Sequence, residues 1–321
     1  MKTLILTAAH RIGKLAVAVA FLTVGFGCAG CRGETLAPFE LDDVKNVLEA
    51  ADRGWAGISR VWYYRPSTDK ALRVLMVIHG AGRNAEDYLG SWIKIAEDQR
   101  LLVVAPEFGE ERVVRIGGAW EWRFNTGNVV SSFGRDVAEE DWYFNSVERL
   151  FESIRQSDER VMDQYVIFGH SAGGQFVHRM VLFQPEIHFD LAIAANSGWY
   201  TFPNEDRDFP YGLSGAPYPT ERLKVALGRA LVVFLGTADS LDQGGFRRSS
   251  EAMLQGATRM QRGTRFYEEA QRLASAQDIS FGWALEHAQG IAHDQGGMAS
   301  ASVRLLQERG LISTPQPSNN E

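Results

Sequence analysis

Gly169-His170-Ser171-Ala172-Gly173 sets a serine between glycines where an apolar run, Tyr165 to Phe168, gives way to an amphipathic one, Gln175 to Phe183. A strand entering directly and a helix leaving directly make the sharp turn that exposes a serine hydroxyl as a nucleophile. The flanking glycines are what so tight a turn admits. The start of the following helix adds partial positive charge where an oxyanion would develop. A Gly-rich strand–helix turn can instead cradle phosphate, but such loops carry a lysine after the glycines, and none follows here. The chemistry indicated is attack by Ser171.

A serine hydroxyl needs a base. Of the seven histidines, His10 lies near the N-terminus, His79 and His170 belong to Gly-rich turns, His178 sits on the helix after Ser171, and His188 precedes the next strand. His293, in the loop Gln289 to Asp294 beyond the last apolar run, is the expected base, and His287, near the end of that run, is the alternative. The base in turn needs a carboxylate to fix its tautomer and stabilise the imidazolium. Asp239, in Gly236-Thr237-Ala238-Asp239 just past the run Leu231 to Leu235, is placed for this, with Asp242 as the alternative. The order Ser171, Asp239, His293 is that of the α/β-hydrolase arrangement, not of the chymotrypsin or subtilisin ones. Backbone N–H donors for an oxyanion are expected from Ala172 and from Ala81, within His79-Gly80-Ala81-Gly82-Arg83; Gly82 could replace Ala81.

These residues need a sheet whose strand ends bring them together. Strands are expected at Val61 to Tyr64, Leu72 to Ile78, Leu101 to Ala105 (stopped by Pro106), Tyr165 to Phe168, Leu191 to Ala195, Leu231 to Leu235 and Ile279 to Glu286. Helical spacing marks Ser91 to Gln99, Phe144 to Ile154, Gln175 to Phe183 and Met298 to Arg309. Short, nearly all-apolar strands alternating with helices indicate an α/β fold, a mostly parallel central sheet covered on both faces. With 45% hydrophobic residues, no repeat and no linker, the chain supports one large core over about 32–312, followed by a polar tail over 313–321.

Together these motifs resemble the α/β-hydrolase superfamily: the H-G-x-G loop at His79, the G-H-S-A-G-G turn at Gly169 to Gly174, the G-T-A-D acid at Asp239 and the G-x-x-H-D end at Asp294. Within it the chain is similar to exported esterases of the polyhydroxybutyrate depolymerase and feruloyl esterase kind. The resemblance implies attack by Ser171, an acyl-enzyme, and hydrolysis of that intermediate by water activated at His293.

Trp120, Trp122 and Phe124, and Trp199-Tyr200 after the strand ending at Ala195, are candidates for the walls of an ester site; Trp199 and Tyr200 are the expected substrate contacts. Only about thirty residues separate that strand from the next, so little or no lid domain is expected and the cleft should admit large or polymeric esters. A serine peptidase of the same fold would need the same three residues, but no extra gating domain is present; a non-catalytic exported binding protein would not need them at all. The run Asn204 to Asp208 suits either calcium or solvent, and the solvated loop is preferred, so no metal or other cofactor is expected. A formal charge of −7 with no basic stripe excludes nucleic-acid binding.

Lys2, Arg11 and Lys14 precede an apolar stretch, Leu15 to Phe26, which ends in small residues. That pattern is an export signal over 1–31, and about a dozen apolar residues fall short of the roughly 20 that span a membrane. Cys28 and Cys31 have redox spacing, yet they lie in this leader instead of at a strand end, and a tetrahedral metal site needs a second ligand pair. Ala29-Gly30-Cys31 resembles a bacterial lipoprotein signal, which implies lipid attachment and membrane association at Cys31. A periplasmic or extracellular location follows.

Overall fold

The branched apolar runs pair into one sheet because only strand pairing satisfies their backbone while both faces stay buried. The computed structural model describes residues 45–50, 53–109, 112–116, 119–131, 134–240 and 245–314. The predicted leader with Cys28 and Cys31, Asp242, and residues 315–321 of the predicted tail lie outside the described residues.

The strands are β1 (Lys45–Glu49), β2 (Ile58–Tyr64), β3 (Leu72–Ile78), β4 (Leu101–Phe108), β5 (Arg112–Ile116), β6 (Ala119–Trp122), β7 (Val161–His170), β8 (Phe189–Ala195), β9 (Leu231–Gly236) and β10 (Ala284–Ala288). The helices are α1 (Ala85–Gly90), α2 (Ile93–Gln99), α3 (Tyr143–Ser157), α4 (Ala172–Phe183), α5 (Thr220–Gly228), α6 (Ser250–Gln255), α7 (Arg259–Ala276) and α8 (Gln295–Glu308). Eight strands form a sheet in the order β1-β2-β4-β3-β7-β8-β9-β10, and β5 and β6 form a separate hairpin. The pairings β1–β2 and β2–β4 are antiparallel; every other pairing in the large sheet is parallel. This is the α/β-hydrolase fold. Among the described residues, no helix is long and apolar enough to cross a membrane.

Side chains alternate between two apolar layers. Val74, Met76 and Ile78 of β3 and Leu231, Val233 and Leu235 of β9 join the layer built with α3, α4 and α7. Leu75, Val77, Val232 and Phe234 join the layer under α1, α2 and α8. The chain leaves β3 for β4 on one side and later places β7 on the other. Sheets that reverse direction in this way open a crevice beyond the carboxyl ends of the two central strands, and the Gly-rich turns at His79 and Ser171 sit at those ends.

The structure differs from several expectations. Pro106 does not stop β4, which runs to Phe108; the parallel pairing of β4 with β3 ends at Met76–Val104, so the missing N–H falls where no β3 partner remains. The last strand is Ala284–Ala288, shorter at its start and longer at its end than expected. Helix α7 is absent from the sequence expectation because the residues it buries are Arg259, Arg262, Gly263, Phe266, Ala270 and Ala274, two charged and three small against one large apolar side chain.

Phe176 of α4 is fully buried, 5.2 Å from the ring of Phe108 and 5.0 Å from that of Phe144. Phe176→Ala is expected to lower unfolding stability by about 3–5 kcal/mol, read from urea denaturation midpoints.

Candidate active site

β7 ends at His170 and α4 begins at Ala172, so Ser171 alone connects strand to helix. Its backbone has φ 59° and ψ −116°, a conformation that costs a non-glycine residue about 1–3 kcal/mol. Two hydrogen bonds hold it: Ser171 N–H donates to the Ala195 carbonyl at 2.9 Å, and Gln175 N–H donates to the Ser171 carbonyl at 3.1 Å. The flanking glycines are a packing requirement. A Cβ on Gly169 would lie 2.2 Å from the Gly173 carbonyl oxygen, and one on Gly173 would lie 2.1 Å from that of Ile78. The turn therefore closes on itself and against β3.

β9 and β10 are parallel neighbours, with Gly236 opposite Ala288, so the loops leaving them emerge side by side. Ala238 N–H donates to the Ile291 carbonyl at 2.9 Å, and Gly290 N–H donates to Thr237 Oγ1 at 2.8 Å. Asn196, just past β8, adds a cross-brace: its Oδ1 accepts from Gly236 N–H at 2.7 Å and its Nδ2 donates to the Ala292 carbonyl at 3.1 Å. These contacts bring the expected acid and base together. His293 Nε2 lies 3.0 Å from Ser171 Oγ, and His293 Nδ1 lies 2.8 Å from Asp239 Oδ2. An ionised carboxylate only accepts, so Nδ1 carries the proton and Nε2 is left to accept from the serine hydroxyl.

Asp239 has a second partner that the sequence did not suggest. Arg259, at the start of α7, donates from Nη1 to Asp239 Oδ1 at 2.8 Å, and both side chains are almost fully buried. Burial lowers the pKa of Arg259 and Asp239 opposes the shift. An arginine on a polar helix reads as a solvated residue, so only Asp239 in three dimensions reveals its place.

The loop after β3 is fixed by His79, whose Nδ1–H donates to the Gly80 carbonyl at 2.8 Å while Nε2 accepts Phe108 N–H at 3.0 Å. Burial holds the imidazole neutral, with its pKa lowered to about 4. Ala81, Gly82 and Ala172 line a cleft of about 430 Å³ together with Ser171 and His293. The Tyr88 hydroxyl lies 3.2 Å from Nδ1 of His170, whose ring sits 4.6 Å from that of His293. Burial, then the neighbouring His293, pushes the pKa of His170 well down.

Other expected residues fare differently. His287 is exposed on β10 opposite Leu235 and takes no part in this arrangement. Trp199 is among the residues lining the cleft, although only 1% of it is exposed; Tyr200 is not among them, and it is fully buried and stacks on Phe266 at 4.6 Å. Phe124 is likewise core, 4.7 Å from the His79 ring and stacked on Phe108, and the side chains of Trp120 and Trp122 lie outside the described residues. Within the run Asn204 to Asp208, Arg207 pairs with Glu269 at 2.9 Å and Asp208 accepts from Ser214 Oγ at 3.1 Å.

No protein-family profile and no curated protein matches the chain. Solved structures do. The chain is 37% identical to poly(aspartic acid) hydrolase-1 from Sphingomonas sp. KT-1, with a TM-score of 0.74, over 81% of this chain and 97% of that one. It is 31% identical to a poly(3-hydroxybutyrate) depolymerase from Bordetella parapertussis, with a TM-score of 0.73, over 85% of this chain and 92% of that one. The chain belongs to the α/β-hydrolases. The hydrolase shares its fold, at 18% identity and a TM-score of 0.54, with an S-formylglutathione hydrolase from Agrobacterium tumefaciens, over 83% of this chain and 94% of that one.

The neutral His79 gives the hydrolase an acid sensitivity of defined sign. Its folded pKa of about 4 lies below the ordinary 6.5, so the unfolded chain binds the extra proton first and stability falls as pH drops through 6.5 toward 4. The loss from this group is on the order of 3 kcal/mol at pH 4. Urea denaturation between pH 7 and 4 is expected to show a slope of this sign, and His79→Asn to reduce it by that amount, because the buried His170 and His178, whose pKa values burial also pushes down, contribute slopes of the same sign.

Proposed function

We propose that this hydrolase is a serine esterase working through an acyl-enzyme. The observation that carries the reading is the unbroken chain of contacts, Ser171 Oγ to His293 Nε2 at 3.0 Å and His293 Nδ1 to Asp239 Oδ2 at 2.8 Å, opening on one cleft. Ser171 Oγ attacks the ester carbonyl as Nε2 takes its proton, and Asp239 stabilises the imidazolium. Ala172 N–H, at the start of α4, and Ala81 N–H, in the loop held by His79, receive the oxyanion. The imidazolium returns the proton to the departing alcohol, and a water deprotonated at Nε2 then releases the acid. Trp199 in the cleft wall supports an acyl or aromatic contact, and the absence of a lid among the described residues supports large or polymeric esters. The signal-like residues 1–31 support export of a hydrolase domain over 32–312 to the periplasm or exterior, with Cys31 as the lipid-bearing residue.

A second reading is amide cleavage by the same residues, with an amine leaving group protonated by His293. It is favoured by the 37% identity to a protein that hydrolyses poly(aspartic acid).

A panel of p-nitrophenyl esters and a peptide p-nitroanilide, run on the enzyme and on Ser171→Ala, tests both readings. The enzyme is expected to cleave esters with a burst of p-nitrophenol, and Ser171→Ala to lose at least about 10³-fold in kcat/KM. Equal activity of the two proteins would remove the proposal, and amide turnover without ester turnover would favour the second reading. A diacylglyceryl mass on Cys31 at the mature N-terminus is the expected outcome for the lipid.

A further inference from the structure

We propose that Gln175 presents a hydrogen-bond donor to the cleft, so that the hydrolase prefers esters with a second, uncharged acceptor oxygen (a ketone, ester or amide carbonyl) a few atoms from the scissile bond. The proposal rests on the reading of Ser171 as nucleophile, because the donor acts on whatever that serine attacks.

Gln175 stands one turn along α4 from Ser171, and its backbone N–H holds the Ser171 carbonyl. It lines the cleft and is 6% exposed. The surroundings treat the two ends of its side-chain amide differently. The oxygen is taken: Asn125, itself buried, donates from Nδ2 to Gln175 Oε1 at 3.1 Å. Arg179 fixes both residues, donating from Nη1 to the Asn125 carbonyl at 2.7 Å and to the Gln175 carbonyl at 3.0 Å. The nitrogen faces Gly198, which also lines the cleft, and a Cβ on Gly198 would lie 2.9 Å from Gln175 Nε2. The missing side chain of Gly198 therefore leaves that nitrogen uncovered. Among the described residues no acceptor meets Nε2. An amide held at its other end loses little freedom when this one is engaged.

Buried N–H donors are nearly always hydrogen-bonded, and a site built to bond a polar group of the substrate rejects the analogue that lacks it. The wall beside Nε2 is braced. Arg262 donates from Nη1 to the Gly198 carbonyl at 2.6 Å and from Nη2 to the Arg247 carbonyl at 2.8 Å. Arg247, which also lines the cleft, donates from Nε to the Tyr211 hydroxyl at 2.7 Å, and its guanidinium carbon lies 5.1 Å from the centroid of the Trp199 ring. The offset between Nε2 and Ser171 is thus set by one helical turn on one side and a held wall on the other. The chain as a whole is acidic at −7 and Asp294 lines the cleft, which favours an uncharged oxygen over an anion. In a chain of repeated esters or amides every repeat carries such a carbonyl, so one donor beside the nucleophile sets the register in which the chain lies across Ser171.

The test uses ester pairs that differ by one carbonyl: p-nitrophenyl 5-oxohexanoate against p-nitrophenyl hexanoate, and 4-oxopentyl hexanoate against pentyl hexanoate. In the unaltered protein, kcat/KM is expected to favour the carbonyl-bearing member of at least one pair by about 5-fold or more. The preference should persist as NaCl is raised, because the donor is uncharged. The ratio should fall toward one in Gln175→Met, which keeps the length without the donor, and in Gly198→Ala, whose Cβ crowds Nε2. Gln175→Glu keeps an oxygen for Asn125 and puts an acceptor where the donor was, so it should take the ratio below one. A residue that only supports the fold would lower both members alike and reverse nothing. No preference in either pair, a preference that vanishes at high salt, a ratio that none of the three substitutions moves, or an equal loss on both members would overturn the subsite while leaving the nucleophile intact. Loss of the serine reading would show separately, as no turnover of any ester and no fluorophosphonate adduct on Ser171.

Discussion

The close approach of the Ser171 turn to β3 is the constraint on which the rest of the site depends. Gly173 packs against the Ile78 carbonyl, and Gly169 against Gly173 itself, at distances no side chain permits. That contact brings the nucleophile turn and the His79 loop to one crevice, between the two strands where the sheet reverses its order. The strained backbone of Ser171 is tolerated because the surroundings leave it no alternative: β8 holds its N–H, and the first turn of α4 holds its carbonyl.

Much of this is legible in the amino-acid sequence, for identifiable reasons. β3, β8, β9 and the second part of β7 are buried on both faces, so their residues are mostly apolar and stand out as runs. Ser171 and Asp239 each follow such a run, His293 follows the half-exposed edge strand β10, and their order along the chain limits how they can be joined. Tyr200 shows where this reasoning stops. Adjacency to Trp199 says nothing about which of two consecutive aromatic residues borders the cleft, and here only Trp199 does. β1 escapes notice because Lys45, Asn46 and Glu49 interrupt its apolar character, as befits a strand at the edge of a sheet.

The residues that support the reactive ones are less visible. Arg259 and Arg247 are charged side chains outside any motif, and sequence patterns assign such residues to solvent. Their burial follows from long-range packing: α7 delivers Arg259 to Asp239, and the wall made by Trp199 and Tyr211 takes up Arg247. His79 belongs to a recognisable motif, but its part in holding the loop depends on Phe108, far along the chain in β4. A buried arginine beside a buried aspartate is costly to create and costlier to break, which ties the carboxylate to a single position.

The cross-brace from Asn196 has a mechanical consequence. One amide side chain grips the end of β9 and the residue before His293, so acid and base are fastened to the same frame. The wall carrying Trp199 and Arg247 is tied to that frame as well: Trp199 lies three residues past Asn196, and Arg262, three residues after Arg259 on α7, donates to the Gly198 and Arg247 carbonyls. A substitution that reshapes the wall therefore tugs on the acid and base, so selectivity and turnover are geared together.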